Sequence, residues 1–264
     1  MSHFSSIGFV VETKEAMMEL GNKVFKIGDT FKTSWGNYIL YSDESGAELW
    51  LQVTEKNEVL GMNPHFKGRS KRTIRLAKGL EGIHSPLDGS FYSWSLANKD
   101  DDVEFPFLFD SPDYRLIRSL EFPCEVDIQL SAFAHGIEYF ESELEYSTSQ
   151  VMGKEQLKMA VRSFIPSGLF LPNGEEKNPP KALGVFAGKI QDFEERVNTV
   201  TKESFYWMLV DTLGGSIDVV VDKEQNNKTP VLGGVIFGEF WLSGRILTDT
   251  QSQKKGFLQR ILGR

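Results

Sequence analysis

Alternation within "GAELWLQV", residues 46–53, puts a carboxylate, an indole and an amide on one face of a strand: Glu48, Trp50 and Gln52. The opposite face is apolar and predicts a core contact. An aromatic platform flanked by hydrogen-bonding groups suits an organic ligand, so this row predicts ligand-binding residues, with His65 added from "GMNPHF". The alternative is that the row packs against the rest of its domain, with Trp50 as filler and Glu48 at the rim.

A basic run is the strongest local charge feature. "KGRSKRTIRLAK" carries six Lys and Arg within twelve residues and no acid. Such a cluster can attract phosphates, carboxylates or an acidic partner, which predicts an anion- or partner-binding role for Arg69, Lys71, Arg72 and Arg75. The alternative is a solvated edge strand whose charges prevent edge-to-edge pairing.

Familiar catalytic motifs are absent from the sequence. It has no Gly-rich phosphate loop, no G-x-S-x-G elbow and no kinase signature, and its four histidines lack metal-ligand spacing. The single cysteine, Cys124, excludes an internal disulfide and a cysteine-rich zinc site, and we expect it in the core. We therefore predict no catalytic residue, no metal ligand and no cofactor.

Composition limits the partners. A net charge of −8 argues against generic binding to nucleic acid or to an anionic membrane, because both need a positive surface. No segment approaches the roughly 18 apolar residues of a membrane span, and no signal sequence is evident. We expect a cytoplasmic protein that binds a small organic molecule, a protein partner or a second copy of itself.

The first elements read as strand, helix and strands. "SSIGFVVE" predicts a strand, "TKEAMMELGNKVF" a helix with Thr13 as its N-cap, and "NYILYS" and "AELWLQV" two further strands. This βαβββ order, carried by "IGFVVE", the helix and "AELWLQ", resembles one module of the vicinal-oxygen-chelate superfamily, which includes glyoxalases and bleomycin-resistance proteins. The resemblance implies a cleft between sheets. Residues 70–145 fit either a second such module or an unrelated β extension.

The same resemblance implies a metal site that the sequence only half supplies. The family places a metal-binding histidine two residues before a glycine on the first strand, and here Ser6 stands at that place before Gly8. Glu48 could match the family's strand carboxylate. A hydroxyl is a poor ligand for a divalent transition metal, so no metal centre of the family type is predicted.

Past residue 180 the strand candidates are long and their connections short, which predicts antiparallel neighbours in a small barrel similar to an OB fold. Its last strand, "EFWLSGRI", puts Trp241, Ser243 and Arg245 on one face. We expect Arg245 to stack structurally on an indole, with a ligand or partner contact as the alternative.

The predicted fold class is α+β and mainly β, with a βαβββ-containing N-terminal domain followed by a small antiparallel OB-like barrel. The predicted divisions are a domain at 1–164, a Pro- and Gly-rich linker at 165–180, the barrel at 181–250 and a basic amphipathic tail at 251–264. We expect the tail to dock on protein. A disordered tail and membrane contact are its alternatives.

The predicted function is non-enzymatic binding of a small molecule or a protein. One alternative is a metal-dependent enzyme of the vicinal-oxygen-chelate type that uses Glu48, His65 or His135. A weaker alternative is a nucleic-acid accessory factor that uses the basic run. The stretches "HFSSIGF", "GAELWLQV", "GMNPHF", "SPLDG" and "FWLSGRI" also resemble an uncharacterised group of bacterial proteins, a resemblance that implies no function.

Overall fold

The computed structural model describes residues 3–83, 85–97, 99, 101–117, 120–152, 159–169, 179–226 and 228–247. The chain is mainly β, and its described helices are α1 (Lys14–Ile27) and α2 (Glu143–Met152). The described strands are β1 (Asp29–Thr33), β2 (Gly36–Ser42), β3 (Ala47–Val53), β4 (Val59–Phe66), β5 (Arg72–Glu81), β6 (Gly89–Ser95), β7 (Phe105–Asp110), β8 (Cys124–Phe140), β9 (Ser163–Ile165), β10 (Leu183–Val197), β11 (Ser204–Thr212), β12 (Gly215–Asp222) and β13 (Val235–Ile246). Neither described helix has the length and apolar character needed to cross a bilayer.

The N-terminal segment differs from the prediction. "SSIGFVVE" forms a 3₁₀ turn at Ser5–Ile7 followed by irregular chain, so the predicted first strand is wrong. Local bonds explain the turn, because the N–H groups of Ile7 and Phe9 both donate to the carbonyl of Phe4. The helix prediction is confirmed: α1 starts after Thr13, whose Oγ1 accepts the N–H of Ala16 at 3.1 Å.

A smaller sheet contains four antiparallel strands in the order β1-β2-β3-β4. Its strand β3 is buried on both faces. One face carries Leu49 and Leu51 into an apolar cluster with Val24 of α1. The other face carries Glu48 and its row, so this face must be covered by a second layer.

The larger sheet supplies that layer and contains the other nine described strands. Its pairings close two rings of five strands that share β8 and β13. One ring runs β8-β5-β6-β7-β13 and the other β8-β12-β11-β10-β13. The strands of this sheet share a hydrophobic core rich in aromatic side chains. Within it, Phe186 and Phe240 stack with their ring centroids 3.9 Å apart.

Strands from both sides of the predicted domain boundary share the larger sheet. Residues 181–247 supply four strands of the second ring, and β8, from the predicted N-terminal domain, supplies the fifth. Cys124 begins β8 and is half-buried against the core. Residues 170–178 of the predicted linker and the predicted tail at 251–264 lie outside the described residues.

Candidate functional site

The predicted row on β3 faces the larger sheet. Glu48, Trp50, Gln52 and His65 are all at most 2% exposed, and the register of β3 with β4 places Glu48 directly opposite His65. These four side chains therefore lie within the contact between the two sheets. Solvent does not reach them directly.

Glu48 and Trp50 bind Arg245 of β13. The indole Nε1 of Trp50 donates to Glu48 at 3.1 Å, and Arg245 Nη1 lies 3.5 Å from the same carboxylate. The guanidinium also lies over the Trp50 ring, 4.8 Å from its centroid, while its Nε donates to Asp113 at 2.9 Å. Arg245 therefore stacks on an indole as predicted, but the indole is Trp50 of the smaller sheet and not Trp241 of its own strand, so the contact joins the two sheets.

His65 joins a buried chain of polar groups. Its Nδ1 lies 2.9 Å from Ser243 Oγ and its Nε2 lies 3.0 Å from Gln129 Oε1. The Gln129 amide nitrogen donates to Asp218 and to Ser131, both at 2.8 Å. The amide oxygen of Gln129 must then accept from His65 Nε2–H, which leaves Nδ1 to accept the Ser243 hydroxyl proton.

This hydroxyl–imidazole–amide order has the geometry of a nucleophile, a base and an orienting group. Its environment does not suit covalent catalysis. Complete burial, aided by the charge of Arg245, lowers the pKa of His65 to about 3, which makes the imidazole a weak base. Ser243 is also only 1% exposed. The chain of bonds therefore fixes where the Ser243 oxygen points without activating it.

A cleft of about 460 Å³ opens where the edge of the smaller sheet meets the strand ends of the larger sheet. We call it the intersheet cleft, and its polar lining includes Asn63, Asp88, Ser90, Asp110, Trp241 and Ser243. Leu80, Ile83 and Pro112 add apolar walls. β4 supplies Asn63, the start of β6 and the end of β7 supply Ser90 and Asp110, and β13 supplies Trp241 and Ser243.

Two carboxylates dominate the lining of the intersheet cleft. Asp88 Oδ1 accepts from Gln52 Nε2 at 2.6 Å and from Asn63 Nδ2 at 2.9 Å, so Gln52 of the predicted row supports the cleft from behind. Asp110 accepts from Trp241 Nε1 at 2.6 Å and from Ser90 Oγ at 2.8 Å. Burial raises the pKa of Asp110 and the charge of Asp88 adds to this, although the bonds from Trp241 and Ser90 oppose it.

Sequence reasoning missed both carboxylates. Asp88 lies in the turn "SPLDG" and Asp110 ends the strand "FPFLFD", and an acid at a strand end or in a turn is an ordinary solvated feature. Only the pairing of β6 with β7, which sets Ser90 opposite Asp110, brings them to one place.

A second unpredicted contact joins His3 to His135. Their Nε2 atoms lie 2.6 Å apart, so one imidazole donates to the other, and the His3 ring lies parallel to Trp241 at 4.3 Å. Burial, followed by the nearby His135, lowers the pKa of His3 to about 4. Within the described residues, no three or more His, Cys, Asp or Glu side chains are grouped to hold a metal.

The basic run is divided between three exposed ion pairs and one buried arginine. Arg69 pairs with Asp192 and lies 4.2 Å above the Trp207 ring, Lys71 lies 2.8 Å from Asp127, and Arg75 lies 3.5 Å from Glu104. Arg72 is 6% exposed, and its guanidinium donates to the carbonyls of Gly215 and Ser216 at 2.7 and 3.1 Å. The structure thus gives each of these four predicted residues its own acceptor.

Protein-family models, curated proteins and solved structures were each compared with the chain, and none matches it. The class of protein is therefore defined by its own architecture: a mainly β chain with two packed sheets and a polar cleft between them.

Proposed function

We propose that the chain is a non-enzymatic binding protein that holds a small organic molecule in the intersheet cleft. The observation that carries this proposal is the cleft itself, whose volume of about 460 Å³ is in the range of ligand sites. A few fixed polar groups, Asp88 and Asp110 foremost, stand among apolar walls, which is the usual composition of a pocket that orients a ligand.

Binding is favoured over catalysis by the state of the nearest base. His65 is held neutral by burial beside Arg245, and both of its ring nitrogens already have hydrogen-bond partners. The metal-dependent alternative needs Glu48, His65 or His135 to be available as a metal ligand. Instead, Glu48 contacts Arg245 and His135 contacts His3.

A fragment screen tests the proposal. Ligand-observed NMR on the full chain, with amines, polyols, amides and carboxylates, should find fragments that Ser90→Phe abolishes, because a phenyl group at residue 90 fills the cleft. Ser147→Phe on the exposed face of α2 is the matched control and should retain binding. Thermal unfolding checks that both variants fold. A wild-type chain that binds no fragment, or fragments that Ser90→Phe leaves bound, would contradict the proposal.

A further inference from the structure

We infer that the ligand of the intersheet cleft is an organic cation, an amine or guanidine whose N–H groups meet Asp88 and Asp110 and whose hydrocarbon part meets the apolar walls. This inference rests on the proposed binding function. It follows from which hydrogen-bond donors of the cleft are already used, and from the sign of its charge.

The serine hydroxyl protons of the cleft are all directed at the protein. Ser90 donates to Asp110 at 2.8 Å, and Ser111 donates to Asp113 at 3.0 Å. Ser243 donates to His65 Nδ1, because the other imidazole nitrogen must donate to Gln129. These three hydroxyls therefore offer a ligand only oxygen lone pairs.

The nitrogen donors of the cleft are used in the same way. The single N–H of the Trp241 indole goes to Asp110, and one amide N–H of Asn63 goes to Asp88. The side-chain donors left among the described lining residues are the second Asn63 N–H and the exposed Lys181. Acceptors remain plentiful, since the two described side chains that donate to Asp88, Gln52 and Asn63, both reach its Oδ1.

A cleft rich in acceptors and poor in donors selects a ligand rich in donors. A phosphate or carboxylate would find few donors and would be repelled by Asp88 and Asp110. A cation supplies donors and also offsets the two negative charges, at a place where burial, with the charge of Asp88, already raises the pKa of Asp110. The third acid of the lining, Glu81, is paired with Arg115 at 3.0 Å. Leu80, Ile83 and Pro112 can cover the hydrocarbon part of such a ligand.

Three probes of similar size and different charge test the effect of ligand charge on affinity: benzylamine, benzyl alcohol and benzoate. Titration of the full-length chain should show benzylamine binding about tenfold or more tightly than benzyl alcohol, with benzoate weakest, since charge-assisted hydrogen bonds are the strong ones. Asp88→Asn and Asp110→Asn should each weaken benzylamine binding by about tenfold. Asp127→Asn removes the same charge at the surface, beside Lys71, and should leave the affinity within about twofold.

The outcomes distinguish the two proposals. If a neutral or anionic fragment binds in a manner that Ser90→Phe abolishes, and benzylamine binds no better, the cation assignment is wrong while the binding function stands. Benzylamine affinity that survives both asparagine variants also overturns the assignment. If neither the three probes nor any fragment of the screen binds the wild-type chain, the binding function fails, and the cation assignment fails with it.

Discussion

Two aspartates of the larger sheet, Asp218 and Asp110, each accept the N–H of a tryptophan indole. Trp207 donates to Asp218 at 2.9 Å and Trp241 donates to Asp110 at 2.6 Å. Beyond that shared bond the two sites differ in how many donors reach the carboxylate, and this difference separates a structural acid from a site for a ligand.

Asp218 is surrounded by donors. It is fully buried and also accepts the backbone N–H groups of Arg69 and Ser70, at 2.9 and 2.8 Å, and the amide of Gln129 at 2.8 Å. Gly68 permits this approach, because a side chain there would meet the Asp218 carboxylate. A carboxylate with four N–H donors is satisfied in place and has no need of a further partner.

Among the described residues, Asp110 accepts only from the Ser90 hydroxyl besides its indole, and it borders a cleft that contains a second acid. Its charge is therefore desolvated by burial without being fully compensated, which is why its pKa is raised. Groups in this state are the ones that a ligand can stabilise.

The largest expected effect is a difference in stability between variants of the two aspartates. Asp218→Asn should destabilise the chain by about 3 kcal/mol or more, because an amide NH₂ would face donors that then lose their acceptor. Asp110→Asn should change the free energy of unfolding by about 1 kcal/mol or less, since it also removes a desolvated charge. Urea unfolding of both variants measures the difference. Equal losses would show that Asp110 is as structural as Asp218.

The second-largest expected loss of stability comes from Trp50, in the row of β3 that lies behind the cleft. Trp50 is 1% exposed, so Trp50→Ala should cost about 3 kcal/mol, as truncation of a buried aromatic does. Trp35 is 54% exposed and is the matched control, for which we expect a loss of about 1 kcal/mol or less. An unchanged melting temperature for Trp50→Ala would contradict the packing of the row between the sheets.

Acid stability tests the buried His65, which is linked to Asp218 through Gln129. The pKa of His65 in the folded chain is lowered from 6.5 to about 3, so the unfolded chain binds more protons and stability falls as pH falls below 6.5. This single group should remove about 2 kcal/mol between about pH 7 and about pH 5. His65→Gln should flatten that dependence relative to the wild-type chain in urea unfolding at the two pH values. Parallel pH profiles would mean that His65 is not held neutral.

Local patterns predicted the parts of this architecture that depend on neighbours in sequence. Thr13 caps its helix, and alternation put Glu48, Trp50 and Gln52 on one face of β3. The first strand was predicted wrongly because its apolar residues fit a turn that reaches the core equally well. Alternation also could not say what covers the row, since that depends on β13, almost two hundred residues further along.

The candidate site was less accessible to prediction for the same reason. Asp88 meets Gln52 and Asn63, and Asp110 meets Trp241, across long separations in sequence. Each acid alone has an ordinary turn or strand-end setting. Whether each acid is structural or open to a ligand depends on how many hydrogen-bond donors surround it, and the packing of the two sheets determines that number.

The smallest expected effect concerns Lys71 and Arg75 of the basic run, whose acid partners lie at the surface. Lys71 and Asp127 are 63% and 36% exposed in their side chains, and Arg75 and Glu104 are 39% and 41% exposed. Lys71→Gln and Arg75→Gln should therefore each change the free energy of unfolding by less than about 1 kcal/mol. The buried Arg72 is the control within the same run, and Arg72→Gln should cost more because the carbonyls of Gly215 and Ser216 lose a charged donor.

Nucleic-acid binding tests the same run. Filter retention of a random oligonucleotide should be negligible for the wild-type chain, since each of these Lys and Arg side chains already pairs with an acid or a carbonyl. Salt-sensitive retention that Lys71→Gln and Arg75→Gln reduce would show instead that the run gathers phosphates.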